Sequence, residues 1–184
     1  MAFSPIGPEE IGVVLDANIY VRTAAVLGPG VSLNALPSPT PPFDDEDLDH
    51  TTAQALALVL GGDPSGRFVL IPSTCDHIDK MVFGGLIKPV SEKGLEWSVA
   101  EADDFLDELY DALNNVNATK PIVSYPRHAN VLGDDDGRVF SAAVESGARV
   151  IVTADVPFRT HAKGLQGIAV ITPRMLLERI VKSR

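Results

Sequence analysis

The chain is predicted to be an α/β protein, a three-layer sandwich with a central, mainly parallel sheet flanked by helices. Three observations lead there. Short runs rich in Val, Ile and Leu alternate with segments whose apolar residues recur at helical spacing. Strands and helices that alternate in this way form a parallel sheet through right-handed crossovers. Two of the apolar runs end directly in an aspartate, Gly12-Val13-Val14-Leu15 in Asp16 and Val150-Ile151-Val152-Thr153 in Ala154-Asp155. The carboxyl ends of strands are where open α/β sheets carry their chemistry.

In chain order, Gly12 to Asp16 reads as the first strand and Ile19 to Leu27 as a short helix. Residues 28–43, with Gly28, Pro29, Gly30 and the Pro37-Ser38-Pro39-Thr40-Pro41-Pro42 run, have no apolar periodicity. They read as a mobile surface loop inside one domain spanning 1–184. Asp44 to Asp47 give an acidic first turn to a helix carrying Ala53, Leu56 and Leu60, a charge that suits the helix dipole.

Arg67 to Ile71 is a second strand, followed by a helix capped by Ser73 or Thr74 and running to about Phe83. Ser98 and Glu101 match a capping box, ahead of Ala102, Phe105, Leu106, Leu109 and Leu113 at helical spacing. Pro121 to Ser124 reads as a short third strand. The Asp134-Asp135-Asp136 triplet opens a helix ending near Gly147. Strands at Arg149 to Thr153 and Gly167 to Thr172 follow, and Pro173 starts a last helix with Met175, Leu176 and Ile180.

At 184 residues and 45% hydrophobic content, the chain can bury one core unaided. Its single cysteine, Cys75, rules out an internal disulfide framework and fits a reducing compartment. Met1 to Pro5 lacks the basic and apolar regions of a secretion signal, and the longest apolar run, Ala55 to Leu60, is too short for a bilayer. A cytoplasmic protein with no membrane association is expected. The net charge of −10 argues against a general electrostatic grip on nucleic acid. From Val156 onward the balance reverses, with Arg159, Lys163, Arg174, Arg179, Lys182 and Arg184 against Glu178 alone.

Asp16, Asp136 and Asp155 are the candidate site. Any one of them alone reads as a helix cap, since aspartate oxygens readily accept backbone N–H bonds there. Together, on segments that a parallel sheet gathers, they read as one acidic pocket, and carboxylates are crowded at little penalty only around a cation. Other chemistry finds no support. His50, His77, His128 and His161 lack paired zinc spacing, no Gly-rich phosphate loop follows a strand, no Gly-x-Ser-x-Gly elbow exists, and Cys75 has no evident base.

Val14-Leu15-Asp16-Ala17-Asn18, the stretch from Asp136-Gly137-Arg138-Val139-Phe140 through Ser146-Gly147-Ala148 to Val152-Thr153-Ala154-Asp155, and Gly167 to Pro173 together resemble a PIN domain, the nuclease fold of VapC-type toxins. The resemblance is close in the C-terminal third and at strand one, and weak in the middle. It implies Mg²⁺- or Mn²⁺-dependent endonucleolytic cleavage of single-stranded RNA, with a cognate antitoxin and a homodimer as further partners. Carried onto this sequence, Asp16 and Asp136 match direct metal ligands and Asp155 one that acts through water. Asn18 and Thr153 match the polar positions that orient the shell. Mg²⁺ suits such oxygen ligands and keeps several waters.

The family usually carries a glutamate on the helix after strand two, and here that stretch holds Asp76, His77 and Asp79 instead. Asp79 is favoured for the place, Asp76 lies one turn earlier on the same side, and His77 fits a count by the apolar pattern. Arg22, Arg159 and Lys163 follow acidic stations and could hold RNA phosphates. Two rival readings stand beside the ribonuclease. One is a catalytically inactive PIN-like module that binds RNA or protein, motivated by the missing glutamate. The other is a phosphotransferase with Asp16 as nucleophile, which would want an acid where Asn18 stands.

Overall fold

The computed structural model describes residues 8–181. The Met1 to Pro5 stretch, Lys182 and Arg184 lie outside the described residues. The elements run β1 (Glu9–Leu15), α1 (Ala17–Leu27), α2 (Leu48–Gly61), β2 (Phe68–Ser73), α3 (Asp76–Ile87), α4 (Val99–Asn115), α5 (Ala129–Leu132), α6 (Asp134–Ser146), β3 (Val150–Val152), α7 (Val156–His161), β4 (Ala169–Ile171) and α8 (Pro173–Val181). The sheet is entirely parallel, in the order β2-β1-β3-β4, with helices on its faces in a three-layer sandwich. The predicted α/β class is therefore the observed one. Among the described residues no helix is long and apolar enough to cross a membrane.

β1 lies in the middle of the sheet, so Val13, Val14 and Leu15 are fully buried together with Ile151 and Val152 of β3. α6 packs along β1, β2 and β3, and its Val139, Phe140, Ala142 and Ala143 join the same core. Burial of each larger side chain is worth about 1.5–3 kcal/mol relative to exposure. Gly12 permits the close approach of the α6–β3 turn to β1: a Cβ there would lie 2.9 Å from the Cα of Ala148.

Three details differ from the sequence expectations. The predicted third strand at Pro121 to Ser124 does not form. The chain there meets β2 only through an isolated bridge between Ser73 and Thr119, because Pro121 has no N–H to continue a ladder and Ile122 is 87% exposed. α3 is not capped by Ser73 or Thr74. Cys75 occupies the N-cap without a side-chain bond, while the hydroxyls of Ser73 and Thr74 turn to Thr119 and Asp79. α3 also runs on to Ile87 through Gly84 and Gly85, since Gly85 lets Val21 of α1 come so near that a Cβ would lie 2.6 Å from a Val21 methyl.

The Pro/Gly-rich loop lies at the surface and is fastened to the helices at several points. Leu33 and Phe43 are buried in the core, and Glu108 of α4 accepts bonds from Leu33 N and the Ser32 hydroxyl. The Gln54 amide of α2 donates to the carbonyls of Ser38 and Thr40, each at 3.0 Å. Asp47 accepts from His50 N as the N-cap of α2, so the acidic run before that helix caps it as expected.

Candidate active site

β1 is flanked by β2 on one side and by β3 on the other, so the order of strands in the sheet reverses at the β1–β3 boundary. Such a switch point leaves a crevice at the carboxyl ends of the strands, because the following connections depart to opposite sides. Leu15 pairs with Val152, which brings Asp16 and Thr153 out of adjacent strands at one level.

There Asp16, Asn18, Thr153 and Asp155 form one hydrogen-bonded group. The Thr153 hydroxyl donates to Asp16 Oδ2 at 2.6 Å, and Asn18 Nδ2 donates to the same oxygen at 2.6 Å. Asn18 Oδ1 accepts from Ala154 N at 3.1 Å, which fixes the amide with its N–H₂ toward Asp16 and Thr153. Thr153 Oγ1 also accepts from Asp155 N at 3.0 Å, and Asp155 Oδ1 accepts from Phe158 N at 2.9 Å as the cap of α7. The capping role that either aspartate alone would suggest is present at both, since Asp16 also accepts from Ala17 N at 2.7 Å.

Asp16 is 4% exposed and Thr153 fully buried. Burial pushes the Asp16 carboxyl up to about 6, against the pull of the bonds from Thr153, Ala17 and Asn18, and the charge of Asp155 adds to the rise. Asp136, in the first turn of α6, has no hydrogen-bond or ion-pair partner among the described residues. Desolvation, followed by the charges of Asp16, Asp155 and Asp135, pushes its carboxyl up to about 7. The three carboxylates thus share one field. Among the described residues no cationic side chain offsets the rise of the Asp16 or the Asp136 carboxyl.

The other nominated residues lie elsewhere. Asp76 and Asp79 of α3 belong to a second group, in which Lys120 Nζ sits 2.9 Å from Asp76 Oδ1 and 2.8 Å from Asp79 Oδ2. Thr74 donates to Asp79 Oδ1 at 2.8 Å. The bond from Lys120 holds the Asp76 carboxyl below its usual value, and the bonds to Asp79 and Asp76 push the Lys120 ammonium up. His77 points to Asp135, Nε2 to Oδ1 3.1 Å, and so links α3 to the start of α6. Arg22 is paired with Asp49 of α2. Arg159 is partly buried, its Nε without a partner among the described residues, and Lys163 is exposed.

Lys120 is the member that sequence reading did not find. Its only signal was a basic residue just beyond an acidic helix, and its partners lie on another helix that only the fold brings near. Tyr20 was missed likewise: it is buried between the two groups, its hydroxyl is unpartnered, and burial together with the charges of Asp79, Tyr110 and Asp16 pushes it up.

Among the described residues no group of three or more His, Cys, Asp or Glu side chains is close enough to hold a metal ion. Asp16, Asp136 and Asp155 therefore make an open acidic field and not a closed cage. The donor chemistry still fits a hard divalent cation: all three offer carboxylate oxygens, Asp136 has no other partner, and the buried charge of Asp16 needs one. No protein-family model matches this chain, and neither a curated protein nor a solved structure matches it.

Proposed function

We propose that the chain is a Mg²⁺- or Mn²⁺-dependent endoribonuclease that cleaves single-stranded RNA, a PIN-like enzyme of the VapC toxin type. The observation that supports this reading is the shared field of Asp16, Asp136 and Asp155 at the switch point of a parallel sheet, with the Asp16 and Asp136 carboxyls raised first by burial and then by neighbouring carboxylates, Asp155 acting on both. A divalent ion held there would supply a water of lowered pKa and positive charge opposite the scissile phosphate. Asp16 and Asp136 would hold it directly and Asp155 through water. Asn18 and Thr153 keep Asp16 in one orientation, and the cap bond to Phe158 leaves Asp155 a single free oxygen. Hydrolysis forms a bond between phosphorus and the water oxygen and breaks the bond to the leaving ribose oxygen. Arg159 is the nominated phosphate contact. Arg22 would first have to leave Asp49. On this reading the protein works in the cytoplasm, opposed by a cognate antitoxin and assembled as a homodimer.

One observation favours a second reading, a PIN-like binding module without catalysis. Asp79, the nominated replacement for the family's glutamate, is neutralised by Lys120. The experiment is cleavage of single-stranded RNA with Mn²⁺ by wild type, Asp16→Asn and Asp136→Asn at matched purity. The enzyme reading expects cleavage that falls roughly a thousandfold in either variant, the several kcal/mol that metal catalysis supplies. Binding without cleavage under any divalent ion, unaltered by Asp16→Asn, would leave the binding module.

A further inference from the structure

Two carboxylates on one helix face, at i and i+3, ordinarily make a place for a cation. On α3 that pair is Asp76 and Asp79, and a side chain of the same molecule already lies between them. Lys120 Nζ is within 3 Å of an oxygen of each, at 2.9 and 2.8 Å.

The ammonium is delivered by a dedicated piece of backbone. Thr119 N donates to Pro72 O at 2.9 Å, Thr74 N donates to Thr119 O at 3.0 Å, and the hydroxyls of Ser73 and Thr119 are 2.6 Å apart. These bonds fasten the residue just before Lys120 to the end of β2, one residue short of the α3 cap. The Tyr110 ring of α4 faces the ammonium from 5.6 Å, a distance at which the ring quadrupole attracts a cation. Asp79 is the anchored member, its side chain 16% exposed and bonded by Thr74. Asp76 is the open one, at 81%. Lys120 itself is 51% exposed, so its long side chain reaches inward by choice of partner and not by confinement.

We infer that Lys120 is a built-in counter-ion that closes the Asp76–Asp79 pair to divalent cations, so that the acidic end of this sheet takes one ion, at Asp16, Asp136 and Asp155, and not two. The inference rests on the proposed metal site and concerns its stoichiometry. An ammonium held by two carboxylates must be expelled before a divalent ion can enter, and the Thr119 bonds keep it from drifting away. The second ion of a two-ion arrangement is thereby replaced by a fixed single charge.

The test counts bound Mn²⁺ on the whole chain by electron paramagnetic resonance of the free ion, which does not depend on catalysis. Wild type should bind one Mn²⁺ per chain and lose it in Asp16→Asn. Lys120→Met should bind one more than wild type, the extra ion vanishing in Lys120→Met with Asp79→Asn, while Lys120→Arg should bind as wild type does. Circular dichroism melts accompany each variant, and Lys120→Gln serves in place of Lys120→Met should the latter unfold. A count of one ion alike in wild type and in both neutral Lys120 variants would overturn the inference and leave the proposed enzyme standing, and a count of none in all three would overturn both. A second ion in wild type that disappears in Asp79→Asn would overturn it too. No ion in wild type but one in the neutral variants would sustain the role of Lys120 while removing the metal site at Asp16.

Discussion

Asp16 is held in place by interactions that oppose its ionisation and by others that favour it. Thr153 and Asn18 bond the carboxylate, yet burial prevails and the carboxyl titrates at about 6. Its pKa in the folded chain therefore lies above the unfolded value, so its contribution to stability is full below about pH 4 and is lost as pH rises through about 6. Asp136, raised to about 7 by desolvation and then by Asp16 and Asp155, adds in the same direction and extends the window upward. We expect the metal-free protein to melt at lower temperature at pH 7.5 than at pH 5, with the difference reduced in Asp16→Asn. Scanning calorimetry in chelator reads it, and a melting temperature that rises over that interval would contradict the assignment. Thr153→Val removes a bond to a buried carboxylate and should lower stability at pH 7.5 by about 1.5–3 kcal/mol in urea unfolding. Asp16, Asn18, Thr153 and Asp155 were legible in the sequence because each stands beside a strand end, where position along the chain predicts position in the sheet. Lys120 was not, because nothing local marks an ammonium whose two partners lie on another helix.

Elements with a strong period were read with the right type and nearly the right ends. α4 is the clearest, its Ser98–Glu101 capping box present in both directions: Glu101 N donates to Ser98 Oγ at 3.2 Å and Ser98 N to Glu101 Oε2 at 2.8 Å. Ser98→Ala should therefore lower stability by about 1 kcal/mol, seen as an earlier urea midpoint with unchanged slope. The elements misjudged were those whose fate depends on a neighbour. The Pro121 to Ser124 segment had strand-forming residues beside the free edge of β2, but Pro121 stops the pairing after Thr119, and α3 passed two glycines because Val21 packs against one of them. α6 shows the reverse case. Gly137 lies next to Asp136, and a Cβ there would fall 2.8 Å from the Arg127 carbonyl oxygen and 2.9 Å from Pro126 Cβ. That neighbouring loop is bonded in turn to Ser141 and Gly137 of the helix. Gly137→Val should shift the start of α6 and cost about 1–3 kcal/mol. RNA cleavage at a temperature where the variant remains folded should fall as well. Full cleavage by a folded variant would separate the Asp136 position from this packing.

In the molecule as a whole, one hydrophobic cluster runs through both helical layers and the sheet, so damage at its centre should be felt everywhere. Phe140, fully buried on α6, is such a centre, and Phe140→Ala should cost about 3–5 kcal/mol, much of the margin of a domain of this size. Its thermal transition should shift without splitting. The α/β class was plain from the alternation of strand and helix, but the order of the strands was not, since the sequence does not say on which side of β1 a later strand will dock. That order has a consequence in time. Of the described strands β1 leaves the ribosome first, and β2 can join it early, yet the other flank of β1 stays vacant until β3 is made. Asp16 waits there without Thr153, which lies 137 residues further on, and without Asp155. A nascent copy of the proposed ribonuclease therefore lacks its full acidic site until β3 and the residues just after it have been made.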